Sequence, residues 1–485
     1  MRLSLLALLF ICHTGFLFAQ QMQWVTVKGQ APDYAGYTLV MEKVMNPITL
    51  ETTGLMAIDV DKNGAYEQSV EISGITYASI DMGKYRGYIY LEPGQTYNLA
   101  LPPFQPRSDA DRFNPYFIPE EIELGIINKE AQGLNQSITN FDIDLNKAYN
   151  TNAVNIFSRG DVTKAQEIIA ELDSAYNIEH PYFEQYKQYA YGELLTLAYK
   201  RNKRKAMYFA MNSDSLDMFM PSFQQSFNTL FKSFFTSYFT SSKGDDLRDA
   251  YTKAASFDSL RTVFKKDTLF AQTELAEVIL LKGLYDAFYS GRYDQERIID
   301  LYAQAQEQGS TLVIKDIAKS LYKRVTWLRT GTAAPQFTLY RLDGKERSLS
   351  DYHGKFVYLN FMHTSNHTCK QELQLLNVLS KQLRRELTFV TVIMDEDPTA
   401  AQKLIKDNKY KWDFLHYAAM PKVALDYRIK ALPVYFVIDP TQKLLVSPSP
   451  SPGENFLPIF QEEQRKFNYE QLRKKKPKQK SIYDF

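Results

Sequence analysis

The spacing of apolar positions changes character twice along the chain. Up to about residue 103, short β-rich runs (Trp24 to Val27, Tyr37 to Lys43, Ala57 to Val60, Tyr66 to Ile72, Tyr77 to Met82, Tyr88 to Leu91) alternate with turn clusters such as Asp61-Lys62-Asn63-Gly64 and Glu92-Pro93-Gly94. This spacing predicts a β-sandwich-like domain over 21–103. The stretch from Pro102 to Pro119, with several prolines and a charged run from Arg107 to Arg112, reads as a linker. Over 119–329 the period becomes helical. Ala165, Ile168, Ile169, Leu172 and Tyr176 recur at the spacing of one buried helix stripe. Leu275 to Tyr289 reads as a denser apolar helix, stopped by Gly291 where a left-handed residue ends a helix. Phe223, Phe227, Phe231, Phe235 and Phe239 fall at four-residue spacing on one helix face, which predicts packing against another helix, with a ligand groove as the alternative.

Strand and helix then alternate. Phe356 to Phe361 is a continuous apolar strand of the kind buried on both faces, and Cys369 to Leu383 an amphipathic helix with Leu373, Leu376, Leu379 and Leu383 inward. Phe389 to Met394 and Val434 to Ile438 are further strands, Thr399 to Asp407 a helix, and a last helix runs from Phe456 into the 460s. The fold class is therefore multidomain α and β: a β-sandwich-like front, an α-helical middle and an α/β domain over 331–468. Residues 469–485 are expected to be a basic, disordered tail, with attachment to an acidic surface as the lesser reading.

Composition narrows the function classes. The 485 residues are 45% hydrophobic and 23% charged, with a net charge of +1, so no global bias toward nucleic acid exists and none is expected as a partner. Residues 1–20 combine Arg2, a short apolar run and Ala19 ahead of Gln20, the layout of a cleaved signal peptide. Ile11 before Cys12 argues against lipid attachment. No later stretch approaches the ~20 apolar residues of a transmembrane segment. The expected location is outside the cytoplasm: periplasmic, cell-envelope associated or secreted. Of the two cysteines, Cys12 leaves with the signal peptide, so Cys369 has no intramolecular partner for a disulfide.

The α/β domain carries a family signature. Gly331-x-x-Ala334-Pro335-x-Phe337-x-Leu339, then Asp343-Gly344-Lys345, Leu349-Ser350-Asp351-Tyr352, Gly354-Lys355 and FVYLNF, with ALPVYFVID downstream, resembles periplasmic thioredoxin-like proteins of the TlpA/ResA type. The resemblance implies a thioredoxin-like fold, a cis bond before Pro433, and a Trp-Cys-x-x-Cys motif after the Asn360-Phe361 pair. Set in register, that motif falls on Ser365, Asn366, His367, Thr368 and Cys369, and its later acidic residue on Glu372. The first cysteine is thus Asn366, and the proline usual two residues beyond the acid is Gln374.

The first cysteine of such a motif sits at a helix N-terminus, where unpaired amides favour the attacking thiolate; the second resolves the mixed disulfide. Asparagine cannot attack, but is among the best helix N-caps. Cys369, one turn into the helix, is expected to be shielded. The leading reading is an exported module with little or no dithiol reductase activity that binds another envelope protein or an extended peptide through the surface around Asn366, His367, Leu432 and Pro433. The alternative is a single-cysteine thiol oxidoreductase or peroxidase using Cys369 with Glu372 tuning its protonation; against the peroxidase form, Asn366 stands where a threonine is expected. His363, His367 and Cys369 form a His-x3-His-x-Cys cluster, but this is not an established metal spacing, and neither metal nor cofactor is expected.

Overall fold

Alternating burial along the front strands is what a two-sheet packing requires, and the computed structural model has it. The structure describes residues 22–108, 111, 117–200, 202–212, 216–417 and 422–475. The expected signal peptide and residues 476–485 lie outside them. The described residues divide into two compact units: those up to Pro106 with Pro119–Ser320, and Arg107–Ile118 with those from Leu321 onward.

In the first unit, β1 (Gln23–Gln30), β2 (Thr38–Asn46), β3 (Glu51–Asp59), β4 (Ala65–Ile72), β5 (Thr76–Met82), β6 (Tyr85–Leu91), β7 (Thr96–Ala100), β8 (Glu120–Glu123) and β9 (Gly125–Ile126) build two sheets, ordered β4-β1-β7-β9 and β3-β2-β5-β6-β8. Val25, Met41, Ile58, Ile80, Ile89 and Leu99, drawn from both sheets, share one core, so the pair is a sandwich. The expected boundary at 103 needs correction. β8 joins β6 in parallel and β9 joins β7 antiparallel, so strand structure resumes beyond the proline-rich stretch, and the helices start later than 119. Glu120-Glu121-Ile122-Glu123 shows too little apolar alternation to be read as a strand; it sits at a sheet edge, where charge is tolerated.

Helices follow from Gly133 to Thr326. The first docks on the sandwich through Asn135, whose amide receives the Tyr90 N–H at 2.8 Å and donates to the Tyr90 carbonyl at 2.9 Å. The phenylalanine ladder is buried throughout, but it is not one helix: Pro221–Leu230 and Phe234–Thr240 are separated at Ser233, which has a φ of 55°. Phe235 lies so close to Gly283 that a Cβ there would meet the Phe235 Cβ at 2.3 Å, which explains a glycine inside the helix Thr273–Tyr289.

The second unit holds β10 (Thr338–Arg341), β11 (Glu346–Ser348), β12 (Phe356–Met362), β13 (Leu387–Ile393), β14 (Asp413–His416), β15 (Val434–Ile438) and β16 (Leu444–Ser449) in one sheet, ordered β11-β10-β14-β13-β12-β15-β16. β12 runs parallel to β13 and antiparallel to β15, and every residue of β12 is buried, including Asn360, whose Oδ1 accepts from the Thr391 hydroxyl at 2.6 Å. One face carries Leu359, Phe361, Val392 and Tyr427; the other carries Tyr358, Phe389, Cys369, Leu373 and Phe456. The last helix, Phe456–Lys475, continues past 468, correcting the expected start of the disordered tail. Lys466 pairs with Glu462 and Glu463 at 2.8 Å each, one turn away, which supports a helix through this polar stretch.

Candidate functional site

The site lies where β12 ends and the helix His367–Gln382 begins. Helix formation there needs a cap for the free amides of the first turn. Asn366 supplies it: φ −81°, ψ 119°, with Oδ1 accepting from the Cys369 N–H at 3.2 Å. Its Nδ2 donates to the Leu432 carbonyl at 3.1 Å. The Leu432–Pro433 peptide bond is cis. One side-chain amide therefore ties the helix start to the chain entering β15, and among the described residues the Leu432 N–H has no partner.

Ser365, His367 and Thr368 are exposed around this cap, whereas Cys369 is 1% exposed beneath it. Burial pushes the Cys369 thiol up to about 11; the main-chain hydrogen bond from His363 works the other way, and the charge of Asp395 adds to the rise. Glu372 raises it too, as the smallest of these contributions. A thiol so placed is protonated and covered at neutral pH, the opposite of an attacking thiolate.

Glu372 is half-buried, with Oε1 accepting from Ser451 Oγ at 3.3 Å and Oε2 enclosed without a partner. Tyr435, on β15, has a buried hydroxyl that is likewise unpartnered, and it feels the charges of Glu372 and Cys369. Behind the loop, Asp395 accepts the Thr364 N–H at 3.0 Å and the Thr364 hydroxyl. His416 Nε2 lies 2.7 Å from the Asp395 carbonyl. His363 Nδ1 accepts the Ser365 N–H at 3.1 Å, with Ser365 Oγ at 2.8 Å and Asp395 Oδ1 at 3.7 Å, so the ring braces the loop. The histidines thus diverge: His363 is buried among loop contacts and His367 is exposed on the first helical turn. Among the described residues no three His, Cys, Asp or Glu side chains converge on a common point.

Sequence reasoning placed Ser365 to Cys369, Glu372, Leu432 and Pro433, and the structure brings Asn366, Cys369 and Leu432 together. It missed Asp395, Tyr435 and Ser451. Asp395 had one available signal, a carboxylate just past the carboxyl end of a parallel strand, where open α/β sheets place their sites.

A family model described as the AhpC/TSA family matches residues 330–447. The thioredoxin-like protein YneN of Bacillus subtilis (strain 168) is 30% identical over 122 residues, 24% of this chain and 69% of that protein. The thiol-disulfide oxidoreductase ResA of Bacillus thuringiensis subsp. konkukian is 29% identical over 122 residues, 24% of this chain and 68% of that protein. Among solved structures, a thiol-disulfide oxidoreductase from Bacteroides fragilis is 20% identical, covering 28% of this chain and 99% of that one at a TM-score of 0.25. A thiol:disulfide interchange protein from Bacteroides sp. is 23% identical, covering 29% of this chain and 90% of that one at the same score of 0.25. Through its last third, the chain belongs to the TlpA/ResA-type thioredoxin-like family of thiol-disulfide oxidoreductases.

Proposed function

We propose that this protein is an exported cell-envelope module whose thioredoxin-like domain binds a partner protein or an extended peptide and has little or no dithiol reductase activity. The observation that carries this reading is the double engagement of Asn366, whose amide caps the helix and holds Leu432 where a redox motif would present its nucleophile. The Leu432 N–H, without a partner among the described residues, supports recognition of a main-chain carbonyl, the contact by which an extended peptide pairs as an added strand. The burial of Cys369 argues against the single-cysteine reading, because neither a disulfide nor a peroxide reaches a covered thiol. Among the described residues no helix is long and apolar enough to cross a membrane. Export rests on residues 1–20.

The test is capture from the envelope fraction by the full chain and by Cys369→Ser. Equal capture of the same partner, insensitive to reductant, supports the proposal. Capture that disappears in Cys369→Ser or is released by reductant contradicts it.

A further inference from the structure

Three helices of the first unit, Val162–Ala175, Pro181–Ala198 and Lys203–Met211, border a cleft of about 520 Å³, within the roughly 300–1,000 Å³ of small-molecule sites. One close approach places it. A Cβ on Gly192 would meet the Ala210 Cβ at 2.4 Å, so the glycine lets the third helix lie directly against the second. Gln188 fastens the pair, its Nε2 donating to the Phe209 carbonyl at 3.0 Å. The third helix buries Ala206, Met207, Ala210 and Met211 and leaves Tyr208 55% and Phe209 39% exposed on the cleft wall, which Tyr199 continues.

The polar groups of the cleft are of two kinds. The side-chain amides of Gln166 and Asn212 line it without a hydrogen-bond partner among the described residues. Lys205 is exposed, with Nζ 5.8 Å from the Tyr199 ring centroid and no carboxylate paired to it among the described residues. No carboxylate lines the cleft. On the bordering helices, Glu167 beside Gln166, Asp173 one turn past Ile169 and Glu184 one turn before Gln188 each hold a lysine already: Lys164 at 3.0 Å for Glu167, and Lys187 at 3.1 Å for both others. From Leu194 to Asn212 the sequence contains no acid. The cleft therefore offers aromatic faces, amides and one uncompensated positive charge.

A cationic ligand finds no counter-charge there. An extended peptide pairs its main chain along one edge, whereas these amides come from separate helices on different sides of the cleft. A sugar ring fits the set: its C–H face packs on an aromatic ring, and its hydroxyls both donate and accept, as a carboxamide does. The free ammonium adds a preference for a sugar that carries a carboxylate.

We propose that this cleft binds an acidic sugar, its ring against Tyr199, Tyr208 and Phe209, its hydroxyls on Gln166 and Asn212, and its carboxylate on Lys205. The cleft is separate from the Asn366 site and does not depend on that site's reading.

Titration calorimetry of the full chain with digalacturonate and with N-acetylneuraminate tests the proposal, with neutral galactobiose as the control for digalacturonate. At least one acidic sugar should bind saturably, roughly tenfold or more tighter than galactobiose, and more weakly as salt is raised. Lys205→Met should remove the preference for the acidic sugar, and Tyr208→Ala should weaken every sugar that binds. Both side chains are exposed, so neither change disturbs the core, and a thermal melt checks that each variant is folded. Saturable binding of neither acidic sugar, equal binding of galactobiose, undiminished binding by folded Lys205→Met or Tyr208→Ala, or equally tight binding of a short polyglutamate peptide each overturns it.

Discussion

Asn366 and Leu432, sixty-six positions apart in the chain, are joined by a 3.1 Å hydrogen bond from the asparagine Nδ2 to the leucine carbonyl. The oxygen of the same side chain caps the helix His367–Gln382. One side-chain amide thus satisfies two main-chain groups, which under the proposed function it does at the place of the family's attacking thiol.

That exchange has a thermodynamic signature. Asn366→Ala removes the cap and the bond to Leu432 together and should cost about 1–3 kcal/mol, read by urea denaturation. Asn366→Asp keeps a capping oxygen but places a carboxylate against the Leu432 carbonyl, so its loss should be smaller but not zero. Equal stability of all three proteins would mean that the amide holds nothing.

Cys369 should react slowly. With its thiol held up at about 11, the thiolate fraction at pH 8 is about one in a thousand, against about one in four for an unfolded cysteine. Native labelling by a maleimide-free disulfide reagent should be at least about 100-fold slower than in denaturant and should rise about tenfold per pH unit up to pH ~10. Fast labelling at pH 7 would contradict the burial.

Asp142 offers a pH test in the first unit. Burial raises its carboxyl to about 6, with the hydrogen bond from Tyr186 opposing. The unfolded group titrates near 3.9, so the native state binds the extra proton between those values, and stability falls as pH rises from about 4 to 6. Asp142→Asn keeps an acceptor for Tyr186 and should stabilise by about 1–2 kcal/mol at pH 7.5, an advantage that closes below pH 4. A thermal melt series across that range reads it.

Gly283 tests the close approach in the helical region. Gly283→Ala should cost about 1–3 kcal/mol through overpacking against Phe235, and the cost should shrink when Phe235 is also changed to Gly, which removes the Cβ and ring atoms it would meet. Additive effects in the thermodynamic cycle would show that the two positions do not touch.

Much of the rear domain was legible because its elements obey one periodicity each. The run Phe356 to Phe361, apolar except at Asn360, reads as a doubly buried strand, and the structure extends it by one residue to Met362. Asn366 was legible as a cap because its chemistry and its place before an amphipathic helix agree. β16 was not legible, since Pro448 and Pro450 break the strand pattern of a segment that nevertheless pairs with β15. The phenylalanine ladder misled in one respect: four-residue spacing continues across Ser233 while the backbone does not. Asp395, Tyr435 and Ser451 come to the site from separate strand ends, and only the sheet order, which one sequence does not state, brings them near Cys369.

The most direct measurement compares turnover of a disulfide-bonded protein substrate by the wild-type chain and by Asn366→Cys, with a dithiol as the electron source. Wild-type turnover should equal the uncatalysed rate, whereas Asn366→Cys should restore a Cys-x-x-Cys pair at the helix start and raise it about 100-fold or more. Reductase activity in the wild-type protein, or none in a correctly folded Asn366→Cys, would contradict the assignment of Asn366 to the place of the attacking cysteine.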